Sequence, residues 1–224
     1  MLVSVITPTS RGRDALALVE KSLDRQTFQD FEWIVQEKSP HRRGMLWNLN
    51  YDYNRAIERS KGELIISWQD WTYAKPDTLE KFVYHFNQEP ETLVTGVGNK
   101  YSDDTWSVVM WQDPRKRSDQ GTFYPCYFND VEWNLCSVAR KALYSVGGFD
   151  EAMDTKFGMD GYSVLDRLNI QGGWDFKIDQ TIESFSLEHD RPAQWEEQNW
   201  IYEYKPLHER YLKNPVVPYL KSQA

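Results

Sequence analysis

The chain has little of several things that would announce a function. Among its 224 residues there are two cysteines, Cys126 and Cys136, too few for a disulfide framework and without metal-ligand spacing. No run approaches the roughly 18 to 20 apolar residues that span a bilayer. The opening MLVSVITPTS turns polar too soon for a signal peptide, so a soluble, cytoplasmic protein is expected. Positive charge is scarce as well. Lys and Arg number 26 against 34 Asp and Glu, for a formal net charge of −8 and a pI of about 5.1. That balance argues against broad binding to a nucleic-acid backbone, which needs a basic face. Glycine is thin where a phosphate-cradling loop would need it: TPTSRGR, after the first apolar stretch, holds one. There is no internal repeat, low-complexity segment or linker, and the length suits one domain with a sizeable core.

Aromatic residues are abundant, at 15% of the chain with 10 Trp and 13 Tyr. Such rings can line sugar- or base-binding surfaces by stacking. For any single one, core packing is the default reading. Trp68, Trp71, Tyr73, Trp106, Trp111 and Trp133 are the candidates for platforms, with Trp71 and Tyr73 foremost because they flank Asp70.

Periodicity organises the first ninety residues. LVSVITPTS reads as a buried strand over Leu2 to Thr7, stopped by Pro8. DALALVEKSLDRQ sets Leu16, Val19 and Leu23 on one helical face. DFEWIVQEKS is a second strand, and LNYDYNRAIERSKG a helix stopped at Gly62. ELIISWQ is a third strand, followed by a helix with Asp77 as N-cap, Glu80 three residues on, and Leu79, Phe82, Val83 and Phe86 facing inward. Alternating strands and helices imply βαβ units and a mostly parallel, twisted sheet flanked by helices. Ligands of such sheets sit at the carboxyl ends of the strands. Those ends are Thr7–Thr9, Gln36–Ser39 and Gln69–Trp71. Further on, TLVTGVGNKY and WSVVMWQ read as strands, DPRKRSDQG as an exposed loop, and SVARKALYSVGGFDE and DGYSVLDRLNIQGG as helices ended by glycine pairs.

Taken together, several stretches resemble family 2 glycosyltransferases of the GT-A fold. VSVITPTSRGRDALALVEKSLDRQTFQDFEWIVQEKS is similar to that family's opening, and YNRAIERSKGELI to its Asn-containing helix before the third strand. VARKALYSVGGFDE followed by GMDGYSVLDRL is like its late signature, a Gly-Gly-Phe-Asp-Glu turn and then an acidic residue opening a helix. The matches keep their order over roughly residues 3–170. Two departures stand out: Gln36–Glu37 where paired acidic residues are usual, and Gln69–Asp70–Trp71 in place of Asp-x-Asp. The resemblance implies one GT-A domain over residues 1–224, with a nucleotide-binding half at 1–100, an acceptor and catalytic half at 101–190, and a helical tail at 191–224.

The activity implied is transfer of a sugar from a nucleoside diphosphate sugar, a UDP-sugar foremost, to an acceptor hydroxyl with inversion. The acceptor is a carbohydrate, with a modified nucleic-acid base as the other class kept open; homo-oligomerisation is open too. The resemblance makes Asp160 the base for the acceptor proton, although an Asp there also suits a helix N-cap worth about 1 kcal/mol. Thr7, Pro8, Thr9, Glu37, Asn54, Gln69 and Asp70 form the expected nucleotide-binding set, with Glu37 at the base. A divalent cation, Mn2+ or Mg2+, would neutralise the departing diphosphate, held by Asp70 and by His189 in SLEHDRP. His189 as an ordinary surface or core histidine is the alternative. The clusters His41–Arg42–Arg43 and Arg115–Lys116–Arg117 could pair with phosphate, but both read first as solvated loops. Two other classes stay open: a nucleotidyltransferase, which the missing Gly-rich loop counts against, and a sugar-nucleotide-binding scaffold that has lost catalysis.

Overall fold

A computed structural model describes residues 2–10, 12–39, 48–154, 160–188 and 200–221. Strand β1 (Val3–Thr9) is buried along its whole length, because parallel partners flank it: β2 (Phe31–Glu37) and β3 (Leu64–Trp68). It continues through Pro8 to Thr9, two residues past the expected stop. Pairing with β3 ends at Ile6, whereas pairing with β2 runs on to Thr9↔Glu37. Pro8 thus sits where one neighbour has already left, and its missing N–H costs no ladder bond.

Helix α1 (Arg13–Leu23) buries Ala15, Leu18, Val19, Ser22 and Leu23, so Leu18 takes the place expected for Leu16. Helix α2 (Leu49–Arg59) ends at an extended Ser60, before Gly62, whose amide instead donates to Ser4 Oγ at 2.8 Å. The turn after β3 leads into a three-residue strand, β4 (Thr72–Ala74), which the sequence pattern did not reveal. Helix α3 (Thr78–Gln88) has Asp77 at its N-cap position without a side-chain capping bond. That carboxylate pairs with Lys81 Nζ at 2.8 Å, and Glu80 accepts from Thr27 Oγ1 at 2.9 Å, so no capping box forms.

The second half adds β5 (Thr92–Tyr101), β6 (Val109–Gln112), β7 (Phe123–Pro125), β8 (Leu135–Ala139), α4 (Arg140–Ser145), α5 (Asp160–Gln171), β9 (Asp175–Leu187) and α6 (Trp200–Lys213). SVARKALYSVGGFDE is therefore strand for its first three residues and helix only from Arg140, because Ser137 to Ala139 are drawn into the sheet beside β3. Glycines do end both helices: Gly147 and Gly148 after α4, and Gly172 and Gly173 after α5, all have positive φ.

One sheet carries the strands in the order β2-β1-β3-β8-β5-β9-β4, with β6 on β5 and β7 on β9. Strands β1, β2, β3, β5 and β9 share a direction, while β8 and β4 oppose it. Hydrophobic clusters on the two faces explain the layers. One joins Val19 and Leu23 of α1 and Leu79 and Phe82 of α3 to Val3, Val5, Leu64 and Ile66. The other joins Tyr53 and Ile57 of α2, Leu143 of α4, and Leu165 and Leu168 of α5 to Ile6 and Ile65.

Candidate active site at the carboxyl edge of the sheet

The parallel strands end together at one edge, and there the chain makes a braced turn. Gln69 N donates to Asn134 O at 2.9 Å, Trp71 N to Ala15 O at 2.9 Å, and Leu187 N to Trp71 O at 3.1 Å. From beneath, Trp68 Nε1 donates to Thr72 O at 2.9 Å. Trp71 has φ of 58°, a left-handed conformation that bulky side chains rarely adopt. Its indole N–H is buried and has no acceptor. The turn thus offers, at Asp70, a carboxylate on a backbone that cannot easily shift. Thr9 Oγ1, at the end of β1, donates to Asp70 Oδ2 at 2.8 Å.

Two further elements converge here. Ser67 Oγ donates to Trp133 O at 2.5 Å and lies 3.0 Å from Tyr53 Oη, which ties the segment before β8 to the end of β3. Trp133 packs edge-on against Phe149 with centroids 5.0 Å apart, and Tyr53 stacks on Phe149 at 4.5 Å. Against the same indole lies Gly161, where a Cβ would fall 1.9 Å from Trp133 Cδ1. Only glycine admits that approach. The first turn of α5, which begins at Asp160, is therefore seated on Trp133, next to the Gln69–Trp71 turn.

The other expected residues are placed as follows. Thr7 is fully buried, and its hydroxyl accepts from Trp33 Nε1 at 3.0 Å. Pro8 is buried and Glu37 exposed, both at the edge. Gln36, beside Glu37, is engaged with Arg59 Nη1 at 3.1 Å. Asn54 lies elsewhere: it is fully buried, donating to Phe149 O and Glu151 Oε1, each at 3.0 Å, and accepting from Phe149 N at 2.8 Å. Its amide is spent on latching the Gly-Gly-Phe-Asp-Glu turn to α2. His189, His41, Arg42 and Arg43 lie outside the described residues, though Leu187, two residues before His189, is bonded to Trp71. Arg115 is tied to Asp113 and to Asp130 O at 2.6 Å, and Lys116 to Glu183. Arg115 and Lys116 are thus held in internal pairs, while Arg117 is exposed. Trp68 and Trp133 are core residues, exposed by 0% and 6%.

Sequence reasoning missed the scaffold around the late signature. Asp154 caps α2 from afar, accepting from Asn50 N at 2.8 Å and Tyr51 N at 3.2 Å. Asp150 accepts from Arg210 and from Tyr211 Oη at 2.6 Å, fastening α6 to the same turn. Arg167 is fully buried and donates to Val146 O at 2.7 Å, Gly148 O at 2.6 Å and Ser163 O at 3.1 Å. Burial pushes the Cys126 thiol up to about 12 and raises Cys136 likewise, so neither is an activated nucleophile.

A cation site made of protein groups alone would need converging ligands among the described residues. Among them no three His, Cys, Asp or Glu side chains converge. Asp70 contributes one carboxylate, which together with diphosphate oxygens and water can hold a hard cation such as Mn2+ or Mg2+; the second expected ligand, His189, lies outside the described residues.

No family model and no curated protein sequence matches the chain. Among solved structures it is similar in three dimensions to S. aureus TarS, a GT-A family 2-like glycosyltransferase. The complex of TarS 1–349 with UDP-GlcNAc superposes with a TM-score of 0.70 at 12% identity, covering 96% of this chain and 67% of that one. The fold is the GT-A fold. The complex of TarS 1–349 with UDP gives a TM-score of 0.67 at 13% identity, and a longer TarS chain gives 0.68, also at 13%. The chain spans 66% of the UDP complex and 40% of the longer TarS. At such identities the likeness is one of fold, and the braced Asp70 turn and the start of α5 are read on that GT-A frame. A cavity of about 720 Å³ opens at the opposite edge, between Gly62, Phe86, Arg140 and Tyr144, away from both. No helix among the described residues is long and apolar enough to cross a membrane.

Proposed function

We propose that the protein is a glycosyltransferase that moves a sugar from a nucleoside diphosphate sugar, UDP-linked in the first instance, to an acceptor hydroxyl with inversion. The observation that carries this reading is the meeting of Thr9, the Asp70 turn and the first turn of α5 at one sheet edge, in a fold shared with a protein seen bound to UDP-GlcNAc and UDP. Such chemistry needs a base for the acceptor proton, charge stabilisation on the departing diphosphate, and alignment of the two substrates.

In this reading Asp160 takes the acceptor proton as its oxygen attacks the anomeric carbon, and the bond to the diphosphate oxygen breaks on the opposite side. The exposed Glu37 meets the nucleotide base, and Asp70 and the backbone at Thr9 border the ribose and diphosphate. Divalent-cation assistance belongs to the proposal through Asp70 together with His189, and the cation would neutralise diphosphate charge. The steps assigned to the described residues do not depend on it.

The single carboxylate of the turn favours a second reading, a sugar-nucleotide-binding scaffold without turnover. Calorimetric titration with UDP, GDP, CDP and dTDP, with and without Mn2+, separates the possibilities when combined with Asp160→Asn. The transferase reading expects UDP to bind wild type and variant alike, with hydrolysis or transfer from UDP-sugars lost in the variant. UDP binding without turnover in either protein would favour the scaffold. No binding of any diphosphate would overturn both.

A further inference from the structure

Beside the Asp70 turn lies an aromatic surface that the steps above do not use. Tyr73 follows Asp70 by three residues and pairs with Phe185 across β4 and β9. Trp106, in the loop between β5 and β6, contacts both: its ring centroid is 6.0 Å from Tyr73, at 29°, and 5.5 Å from Phe185. Tyr101 closes the group, 5.4 Å from Trp106 and 5.7 Å from Phe185. Tyr73, Trp106 and Phe185 are each part-exposed.

The surface faces the side of the sheet on which α5 begins. Ala74, the neighbour of Tyr73, is buried with Ile66 under α1 and α3, whereas Ile65 is buried with Leu165 and Leu168 of α5. Side chains alternate along a strand, so Tyr73 and its partner Phe185 point to the α5 face. Asp70 and Tyr73 are separated by at most about 10 Å of extended chain. That is within the span of a short sugar chain laid from the turn along the rings.

Trp106 is held there by construction. Its φ of 57° is unfavourable for a bulky side chain and persists only where the surroundings enforce it. The Asp103 carboxylate enforces it, accepting from Thr105 N at 2.9 Å, Thr105 Oγ1 at 2.5 Å and Ser102 Oγ at 3.0 Å, while Trp106 N donates to Asp103 O at 3.3 Å. Asp103 and Asp104 are both exposed at this loop, in a chain of net charge −8. A polyanionic acceptor would be repelled here, and a neutral one would not.

Resting on the transferase reading, we propose that Tyr73, Trp106 and Phe185 form the acceptor subsite and stack the pyranose rings of an uncharged oligosaccharide. The ring faces carry the negative quadrupole that attracts the C–H face of a sugar.

The same hairpin supplies a matched control. Trp111 is 46% exposed but pairs with Lys100, which itself pairs with Ser186, so it points to the opposite face. Calorimetry with cellohexaose, chitohexaose, maltohexaose and a glycerol-phosphate oligomer, run alongside UDP, tests the proposal. At least one neutral hexasaccharide is expected to bind, about tenfold more weakly in Trp106→Ala and unchanged in Trp111→Ala. UDP affinity should be equal in all three proteins. Trp106→Gly relaxes the backbone while removing the ring, so it guards against misfolding and should behave as Trp106→Ala; Trp106→Tyr should restore most of the affinity. Undiminished glycan binding in Trp106→Ala and Trp106→Gly, preference for the glycerol-phosphate oligomer, or no binding of any hexasaccharide would overturn the subsite. Glycan binding that follows this pattern in a protein that ignores UDP would support the platform and remove the transferase reading instead.

Discussion

Thr9 and Asp70 stand 61 residues apart in sequence and are joined by a hydrogen bond of 2.8 Å from hydroxyl to carboxylate. The bond aims Asp70 from the end of β1 and makes two strand ends one surface. A hydrogen bond to a charged group contributes about 1.5–3 kcal/mol. Thr9→Val is therefore expected to weaken UDP binding several-fold, and Asp70→Asn at least as much, both read by calorimetry. Wild-type affinity in both variants would remove this turn from the donor site.

Gly161→Ala tests the seating of α5. The added methyl meets Trp133 at 1.9 Å, and the indole is enclosed by Tyr53 and Phe149, so the helix start must move. Overpacking of this kind costs about 1–3 kcal/mol. The expected result is a lower Tm together with a fall in kcat larger than any change in UDP affinity. An unaltered kcat would mean that the position of the first turn of α5 does not matter to catalysis.

Asn54→Ala is expected to act on stability rather than on nucleotide binding. It leaves Phe149 N, Phe149 O and Glu151 without the partners they have now, and a buried group stripped of its partner costs about 1–3 kcal/mol. For a chain of this size that corresponds to a Tm lowered by roughly 2–12 °C. Unchanged Tm with loss of UDP binding would instead return Asn54 to the nucleotide.

Asp113 gives the fold an acid sensitivity. Burial alone would raise its pKa, but the Arg115 guanidinium and the amides of Arg115 and Gly98 outweigh burial and hold it below the usual value. A carboxylate with a depressed folded-state pKa contributes stability that is fully present above its unfolded value, about 3.9, and is lost as pH falls through the lower folded value. Thermal melts between pH 3 and 7 should show wild type losing stability below about pH 4 more steeply than Asp113→Asn. Parallel curves would refute the assignment.

What the sequence disclosed depended on whether burial followed a local period. β1 and β3 are flanked on both sides and buried throughout, so they read as apolar runs, and their helices as amphipathic stripes, while β2, at the sheet edge, is mostly half-buried. β9 carries no such mark. Its charged residues Lys177, Asp179 and Glu183 are paired with Glu89, His85 and Lys75, which come from distant parts of the chain, and the sequence pattern assigned the segment no element. Strands of three residues, such as β4 and β7, are too short to show any period. The position of Thr9 and Asp70 at the sheet edge was legible because strand ends are predictable in parallel sheets. The Trp133–Gly161 contact was not, because a glycine required by close approach looks in sequence like any other. Asn54 carried a family signal whose bonds proved to serve the turn beside it.

β4 also sets an order of events. The outer edge of the Asp70 turn is closed by β4 pairing with β9, and Thr72 bonds a serine 114 residues further on. At 5–20 residues per second, a ribosome needs roughly 5 to 20 s to travel that far. A nascent chain consequently presents a complete first βαβ unit well before the Asp70 turn is closed. In the transferase reading the donor turn is therefore complete only once β9 has been made.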